Sequence, residues 1–270
     1  MKITILYEDV NLLVINKPAG ISVHGDGKDT GEVTIADWVL ENYPKIKNVG
    51  EPLLIDRAGG KKEKVLRPGI VHRLDKETSG ALIIAKNKKT FEFLKTQFQD
   101  HKIQKVYHAF VYGKVADPKA SLLTGGHGII NAPIGRSPND VRMWTAGRGA
   151  RGSEDSLRDA VTEYKVLARF FDTENEKEKK DNEHQFSYVE VYPKTGRTHQ
   201  IRVHFRYINH PIVSDPLYRG AKEKALGMKR LALHAYQITF TLLNGEKKSI
   251  EAPLPSDFKK TIKEYKICDI

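Results

Sequence analysis

Apolar and polar positions alternate along this chain with two periods, and the switches between them mark out its elements. Ile3–Tyr7 and Leu12–Asn16 read as two strands, joined by the turn-forming Glu8-Asp9-Val10-Asn11. Lys17-Pro18-Ala19-Gly20 ends the second strand, since proline has no ladder donor and glycine accepts a tight turn. Thr34 stands where it can cap a helix to about Asn42, with Ile35, Trp38 and Val39 facing inward. A polar loop holding Gly59-Gly60-Lys61-Lys62 leads to Arg67-Pro68-Gly69, then to Ile70–Asp75 and an apolar run, Ala81–Ala85, of buried-strand length. Asn87 caps a second helix to about Gln99, with Phe91, Leu94 and Phe98 on one face, and Val106–Tyr112 reads as a strand.

The second half is less regular. Asp117 to Arg158 is rich in Gly, Pro, Ser and Asn, which predicts loops and short hairpins. Val161–Phe171 and Ser187–Tyr192 read as strands around a charged connector, Asp172–Glu183. Thr198 to about Ile208 has helical spacing: Ile201, Phe205 and Ile208 fall on an inner face, and Thr198, Arg202 and Arg206 align at i, i+4, i+8 on another. Ala235–Leu242, Asn244-Gly245 and Lys247–Ala252 predict a hairpin, and a helix from Ser256 to about Lys266 closes the chain. Without βαβ alternation, internal repeat or linker composition, the expectation is one α+β domain over residues 1–270, with a mostly antiparallel central sheet.

Composition narrows the class. A chain of 270 residues can bury a full core without staples, and its one cysteine, Cys268, excludes a disulfide framework or a Cys-rich zinc site. No apolar run approaches the ~18 residues of a membrane span, and MKITILYEDV is not a secretory signal. The expectation is a cytoplasmic protein with no membrane partner. The formal charge is +11, and between Ser187 and His234 nine Lys/Arg stand against three acids, Glu190, Asp215 and Glu223. Such basic concentration favours a polyanion, because cations that neutralise phosphates release condensed counterions.

No phosphate-binding Gly-x-x-x-x-Gly-Lys loop or His-Glu-x-x-His helix occurs. Gly147-Arg148-Gly149-Ala150-Arg151-Gly152 fits Gly-x-Gly-x-x-Gly but follows no strand, and reads as a basic loop that can touch phosphate. The informative run is Gly69-Ile70-Val71-His72-Arg73-Leu74-Asp75-Lys76-Glu77-Thr78-Ser79-Gly80. An Asp75 kept ionised by Arg73 or Lys76 could serve as nucleophile or base; equally, it could be a turn aspartate, with Thr78 and Ser79 bonding to the local backbone. Glu77 could pair with Asp75 as in a glycosidase, but spacing alone does not fix their separation. Lys105-Val106-Tyr107 puts an aromatic at a strand start, and Pro193-Lys194-Thr195-Gly196-Arg197-Thr198-His199-Gln200-Ile201-Arg202-Val203-His204 delivers a turn into a basic helix. His199 and His204 are five apart, off the i, i+4 spacing of a metal-binding face, which favours hydrogen bonding.

Taken together these segments resemble the RluA family of RNA pseudouridine synthases. The matching pieces are Asn16-Lys17-Pro18-Ala19-Gly20, His72 to Gly80, Lys105-Val106-Tyr107 with Gly113, Thr162-x-Tyr164-x-Val166-Leu167, Thr195 to His204, and His210-Pro211-Ile212-Val213-Ser214-Asp215-x-x-Tyr218. The resemblance spans most of the chain. It implies a pseudouridine synthase fold, with a bent, mostly antiparallel sheet, flanking helices and a catalytic cleft between two subdomains. It further implies that Asp75 is the essential aspartate, Tyr107 the tyrosine stacked on the target base, and Arg202 the basic residue paired with Asp75. Arg73 matches the arginine that fills the gap left by the flipped nucleotide, and Lys17 looks like part of the cleft wall. Arg197, His199, Gln200 and Arg206 are expected to contact RNA.

The partner implied is RNA, ribosomal RNA first and transfer RNA second, with a monomeric enzyme, no cofactor and no metal. Many relatives carry an N-terminal S4 RNA-binding domain, whereas here the catalytic pattern starts at once, at Ile5-Leu6-Tyr7-Glu8-Asp9; the expectation is a chain without that domain. Ser214 stands where a glycine is more usual. Two other readings remain: a silent RNA-binding or ribosome-assembly factor on the same fold, and a hydrolytic nucleosidase that would release free uracil.

Overall fold

The computed structural model describes residues 1–25, 31–56, 62–116, 128–147, 157–172 and 184–267. Residues 117–127 and 148–156 of the 117–158 loop region and nearly all of the 172–183 connector lie outside them, as does the Gly-x-Gly-x-x-Gly segment beyond Gly147. The chain forms two compact units, residues 1–104 with 235–253, and residues 105–234 with 254–270.

In the first unit β1 (Thr4–Glu8) and β2 (Leu12–Lys17) form an antiparallel hairpin closed by Asp9, whose carboxylate accepts the backbone N–H groups of Asn11 and Leu12. β2 pairs antiparallel with β5 (Ser79–Ala85) from Leu12↔Ala85 to Lys17↔Gly80. Every residue of β5 is buried, as its unbroken apolar run predicts. The helices α1 (Ile35–Asn42) and α2 (Lys88–Gln99) start where the caps predict. Thr34 and Asp37 close a capping box, and Asn87 Oδ1 accepts the Thr90 N–H at 2.9 Å. Phe91 and Leu94 bury one face of α2 in a core with Leu12, Val14, Ile83 and Phe240. The loop over residues 53–65 is instead a hairpin, β3 (Leu53–Asp56) with β4 (Lys62–Val65). The second half of the sequence returns to this unit for most of β12 (Leu233–Thr241) and all of β13 (Lys247–Glu251), an antiparallel pair turned at Gly245 with φ +86°.

The second unit is built on β6 (Gln104–Tyr112, from Lys105 on), β11 (Gln185–Pro193), β10 (Val161–Phe171) and β7 (Gly128–Asn131), adjacent in that order and antiparallel throughout. A short hairpin, β8 (Ile134–Arg136) with β9 (Trp144–Ala146), lies within the region expected to form loops and hairpins. α3 (Gln200–Tyr207) packs Ile201 and Phe205 into a core with Phe110, Tyr164, Tyr188 and Val191, and α4 (Ser256–Glu264) adds Phe258 to it. α3 starts two residues later than its apolar spacing predicts. His199 occupies the left-handed region at φ 54°, so Thr198 precedes the helix and shares no face with Arg202 and Arg206.

Candidate active site

Asp75 sits in the first unit, half-buried, on a turn whose Thr78 N–H donates to the Asp75 carbonyl at 3.1 Å. Leu74 plugs the core on one side of it. On the other, Gly80 takes φ +121° so close to the backbone of Ala235 that a Cβ would lie 2.2 Å from its carbonyl oxygen; only glycine fits. The turn-aspartate reading gave Thr78 a local backbone hydrogen bond, and its N–H makes it; the buried Oγ1 of Thr78 has no hydrogen-bond partner. His72 Nε2 accepts the Ile83 N–H at 2.9 Å and the ring stacks on Phe98, so this histidine braces the strand. Lys76 turns outward to Glu32 at 2.8 Å, which raises its pKa and takes its ammonium to a different acid from the one expected.

Lys17 requires a correction. It has no exposed surface, and its ammonium donates to the carbonyls of Pro18 at 2.8 Å, Ile21 at 2.7 Å and Lys76 at 3.0 Å. A cation so enclosed cannot line a cleft or touch RNA. It ties the Pro18–Ile21 turn to the loop beside Asp75, and the Gly20 N–H adds a second bond to the Lys76 carbonyl at 2.8 Å. Arg73 is exposed, as an RNA contact requires. Near it lies a residue given no role from the sequence: Arg67 is half-buried, and its Nε has no hydrogen-bond partner. Burial first, and the Arg73 charge second, push the Arg67 pKa down. Two cations thus lie close enough in the first unit to feel each other's charge. In the sequence, Arg67-Pro68-Gly69 stood only as the end of a polar loop.

The second unit holds the other candidates. Tyr107 is half-buried, opposite Val191 in the β6–β11 ladder. Two residues before it, Lys105 shares its strand face and donates to the Thr195 carbonyl at 3.3 Å; burial lowers its pKa to about 8. Gln200 is the second correction. It is buried, and both ends of its amide are engaged: Oε1 by Thr195 Oγ1 at 2.6 Å and the Arg197 N–H at 3.0 Å, Nε2 by the Val161 carbonyl and Thr162 Oγ1, each at 3.0 Å. It fastens the turn to β10 and has no surface for RNA. Arg197 is half-buried, its Nε on the Asp159 carbonyl; His199, also half-buried, meets the Tyr218 hydroxyl through Nδ1 at 2.9 Å; Arg206 is exposed. His204 is buried, with Nδ1 on Thr162 Oγ1 and Nε2 on the Ala132 carbonyl, so both nitrogens are used in hydrogen bonds.

Arg202 does not lie on a solvated face. It is 5% exposed, and its Nε and Nη2 bind the two oxygens of Asp215 at 2.7 and 2.8 Å. Asp215 had entered the sequence reading only as part of a motif and as one of three acids in a basic stretch. Its thirteen-residue distance from Arg202 in sequence gave no hint of the pair.

Comparison with known proteins agrees with this arrangement of motifs. The family model described as RNA pseudouridylate synthase matches residues 11–207. An uncharacterized RNA pseudouridine synthase of Bacillus subtilis is 35% identical over 98% of this chain and 74% of its own. The ribosomal large subunit pseudouridine synthase D of Neisseria meningitidis serogroup B is 36% identical over 95% of this chain and 59% of its own. Among solved structures, human RNA pseudouridylate synthase domain containing 4 superposes with a TM-score of 0.65 at 26% identity, covering 97% of this chain and 93% of its own. The α+β fold, the two long motifs and the family match along residues 11–207 lead to one assignment: the chain belongs to the RNA pseudouridine synthases, isomerases that convert uridine to pseudouridine.

Proposed function

We propose that this enzyme modifies uridines of large-subunit ribosomal RNA, with Asp75 as its essential carboxylate, Tyr107 as the aromatic that stacks on the target base and Arg202 as the basic residue of the reaction. The observation that carries the target is the 36% identity, over 95% of the chain, to a synthase named for the large ribosomal subunit. The residue roles rest on the match of their motifs to the family.

The chemistry suits these groups. A stacked base must leave the helix before its glycosidic bond can be reached, which costs a few kcal/mol. Stacking on an aromatic such as Tyr107 returns about 1–3 kcal/mol. The N1–C1′ bond breaks with the help of Asp75, the uracil rotates, C5 bonds to C1′, the C5 hydrogen departs as a proton and N1 takes one up. The product is an isomer of the substrate, so the reaction balances without a group donor or an oxidant. Exposed Arg73 and Arg206, with half-buried Arg67 and Arg197, supply the cations that a phosphate backbone needs.

Tritium release from RNA labelled at uridine C5 tests this reading, with ribosomal and transfer RNA as separate substrates and Asp75→Asn beside wild type. Release from ribosomal RNA by wild type alone, with RNA affinity retained in Asp75→Asn, is the expected result. Release from transfer RNA alone would overturn the target. Turnover in Asp75→Asn would overturn the residue assignment, and free uracil without release would mean hydrolysis.

A further inference from the structure

We propose that Asp215 is a positioning residue for catalysis: with Tyr218, it holds the Arg202 guanidinium in the one orientation that the reaction uses. The inference rests on the role given to Arg202 above.

The pair is completely built. Asp215 has no exposed surface, and its carboxylate makes four hydrogen bonds. Oδ2 takes Arg202 Nε at 2.7 Å; Oδ1 takes Arg202 Nη2 at 2.8 Å and the N–H groups of Leu217 and Tyr218 at 2.9 and 3.1 Å. Two parallel bonds from one edge fix the plane of a guanidinium as a lysine ammonium could not be fixed. The Tyr218 ring, 1% exposed, lies 5.0 Å from the Arg202 Cζ and covers its face. Tyr218 is itself pinned, accepting the Trp144 N–H at 2.9 Å and meeting His199 Nδ1 at 2.9 Å through its hydroxyl. Edge and face together leave the side chain one direction.

Stability alone is a poor account of this construction. Removing two charges from water offsets most of what they gain from each other, and an apolar pair of equal volume holds a helix to a loop as well or better. What an apolar pair cannot do is present a cation at a fixed angle. The left-handed His199, which starts α3 beside Tyr218, belongs to the same device: its unusual φ brings Nδ1 to the Tyr218 hydroxyl.

The test is a cycle of Asp215→Asn, Arg202→Lys and the double variant, read as single-turnover tritium release at saturating RNA, with RNA affinity and thermal unfolding measured alongside. Asp215→Asn keeps the shape and loses the charge. It should slow the single-turnover rate by about 30-fold or more while leaving affinity within about threefold. Because Asp215 acts through Arg202, the double variant should be no slower than the slower single one. A rate in Asp215→Asn within about threefold of wild type, a loss confined to affinity, or multiplied losses in the double variant would overturn the proposal. If Asp215→Asn does not fold, Tyr218→Leu replaces it in the cycle: the ion pair stays and the ring goes. A slowing of about fivefold or more, absorbed by Arg202→Lys, is then expected, and an unchanged rate overturns the proposal. Failure of the underlying reading looks different: wild type would release no tritium, or Arg202→Lys would keep its full rate.

Discussion

The turn that carries Asp75 and the helix that carries Arg202 are both immobilised around a buried cation, but the cations have different partners. In the first unit Lys17 spends its ammonium on three backbone carbonyls, and the result is two turns tied together. In the second unit Arg202 spends its guanidinium on a carboxylate, and the result is a side chain with a fixed plane. Carbonyl dipoles gathered around an ammonium hold a loop in place without dictating an angle. A carboxylate cancels the charge and dictates an angle. The first arrangement therefore protects the path of the backbone, and the second protects the aim of a functional group.

Removing each cation should separate the two designs, and the largest effect belongs to Lys17. Lys17→Met leaves the carbonyls of half-buried Pro18 and Ile21 facing an apolar chain in place of their donor, while the Lys76 carbonyl keeps its bond from the Gly20 N–H. Orphaned acceptors cost about 1–3 kcal/mol each, so the variant should lose about 3 kcal/mol or more. Urea denaturation measures this loss. A midpoint unchanged from wild type would mean that the turns hold themselves together.

This difference also marks what could be read from the sequence. Caps are local: Thr34 with Asp37, and Asn87 with Thr90, lie three residues apart, and both helices began where expected. The buried strand β5 showed itself as an apolar run, and β10 matched from Val161 to Phe171. The β3–β4 hairpin escaped because its strands are only four residues long, one mostly apolar and one mostly polar, without the alternation that reveals a half-buried strand. The burial of Lys17 could not be read at all, because one of the carbonyls it binds is 59 residues away. Arg202 was placed on a basic helix face because periodicity counts residues, whereas its environment is set by a loop that folds back with Asp215. The motifs thus marked out residues while hiding which of them are exposed and which are buried among hydrogen bonds.

Acid should distinguish the units next. His108, 4% exposed and bonded through Nδ1 to the Tyr188 hydroxyl at 2.5 Å, has its pKa pushed by burial from 6.5 down to about 4, even with Glu190 3.9 Å from its Nε2. Burial also lowers the pKa of His204. Between those values the unfolded chain binds more protons than the folded one. The contribution of His108 is therefore complete above about pH 6.5 and is lost as the pH falls towards 4, about 3 kcal/mol in all. In the first unit the lowered pKa values of Glu8 and Asp9 matter only at pH below their ordinary values near 4. Hydrogen exchange at pH 5 should thus show β6, β10 and β11 losing protection before β2 and β5, and His108→Gln should reduce the difference. Equal loss in both units would erase the contrast.

Arg67 offers a smaller test on the RNA side. If it and Arg73 share a phosphate, Arg67→Gln should weaken RNA binding and make the slope of log affinity against log salt shallower by about 1. An unchanged slope would leave Arg67 a structural residue of the first unit.

The smallest expected effect sharpens the comparison at two residues of positive φ, one in each unit. Gly80, in the first unit, cannot be replaced without driving a Cβ into the backbone of Ala235. Ser214, one residue before Asp215, holds φ 58° with a side chain present, and its Oγ donates to the Met228 carbonyl at 2.7 Å. In Ser214→Gly the strain of a left-handed residue disappears, worth about 1 kcal/mol. The lost hydrogen bond removes about as much, and the added freedom of glycine in the unfolded chain costs a further 0.5–1 kcal/mol or about that. The variant should fall within about 1 kcal/mol of wild type, on the less stable side. Ser214→Ala keeps the strain and loses the bond, so it should be the worse of the two. Should Ser214→Gly instead be clearly stabilised, the serine bond would contribute nothing. The turn that delivers Asp215 to Arg202 would then be held by the ion pair and the backbone bonds around it.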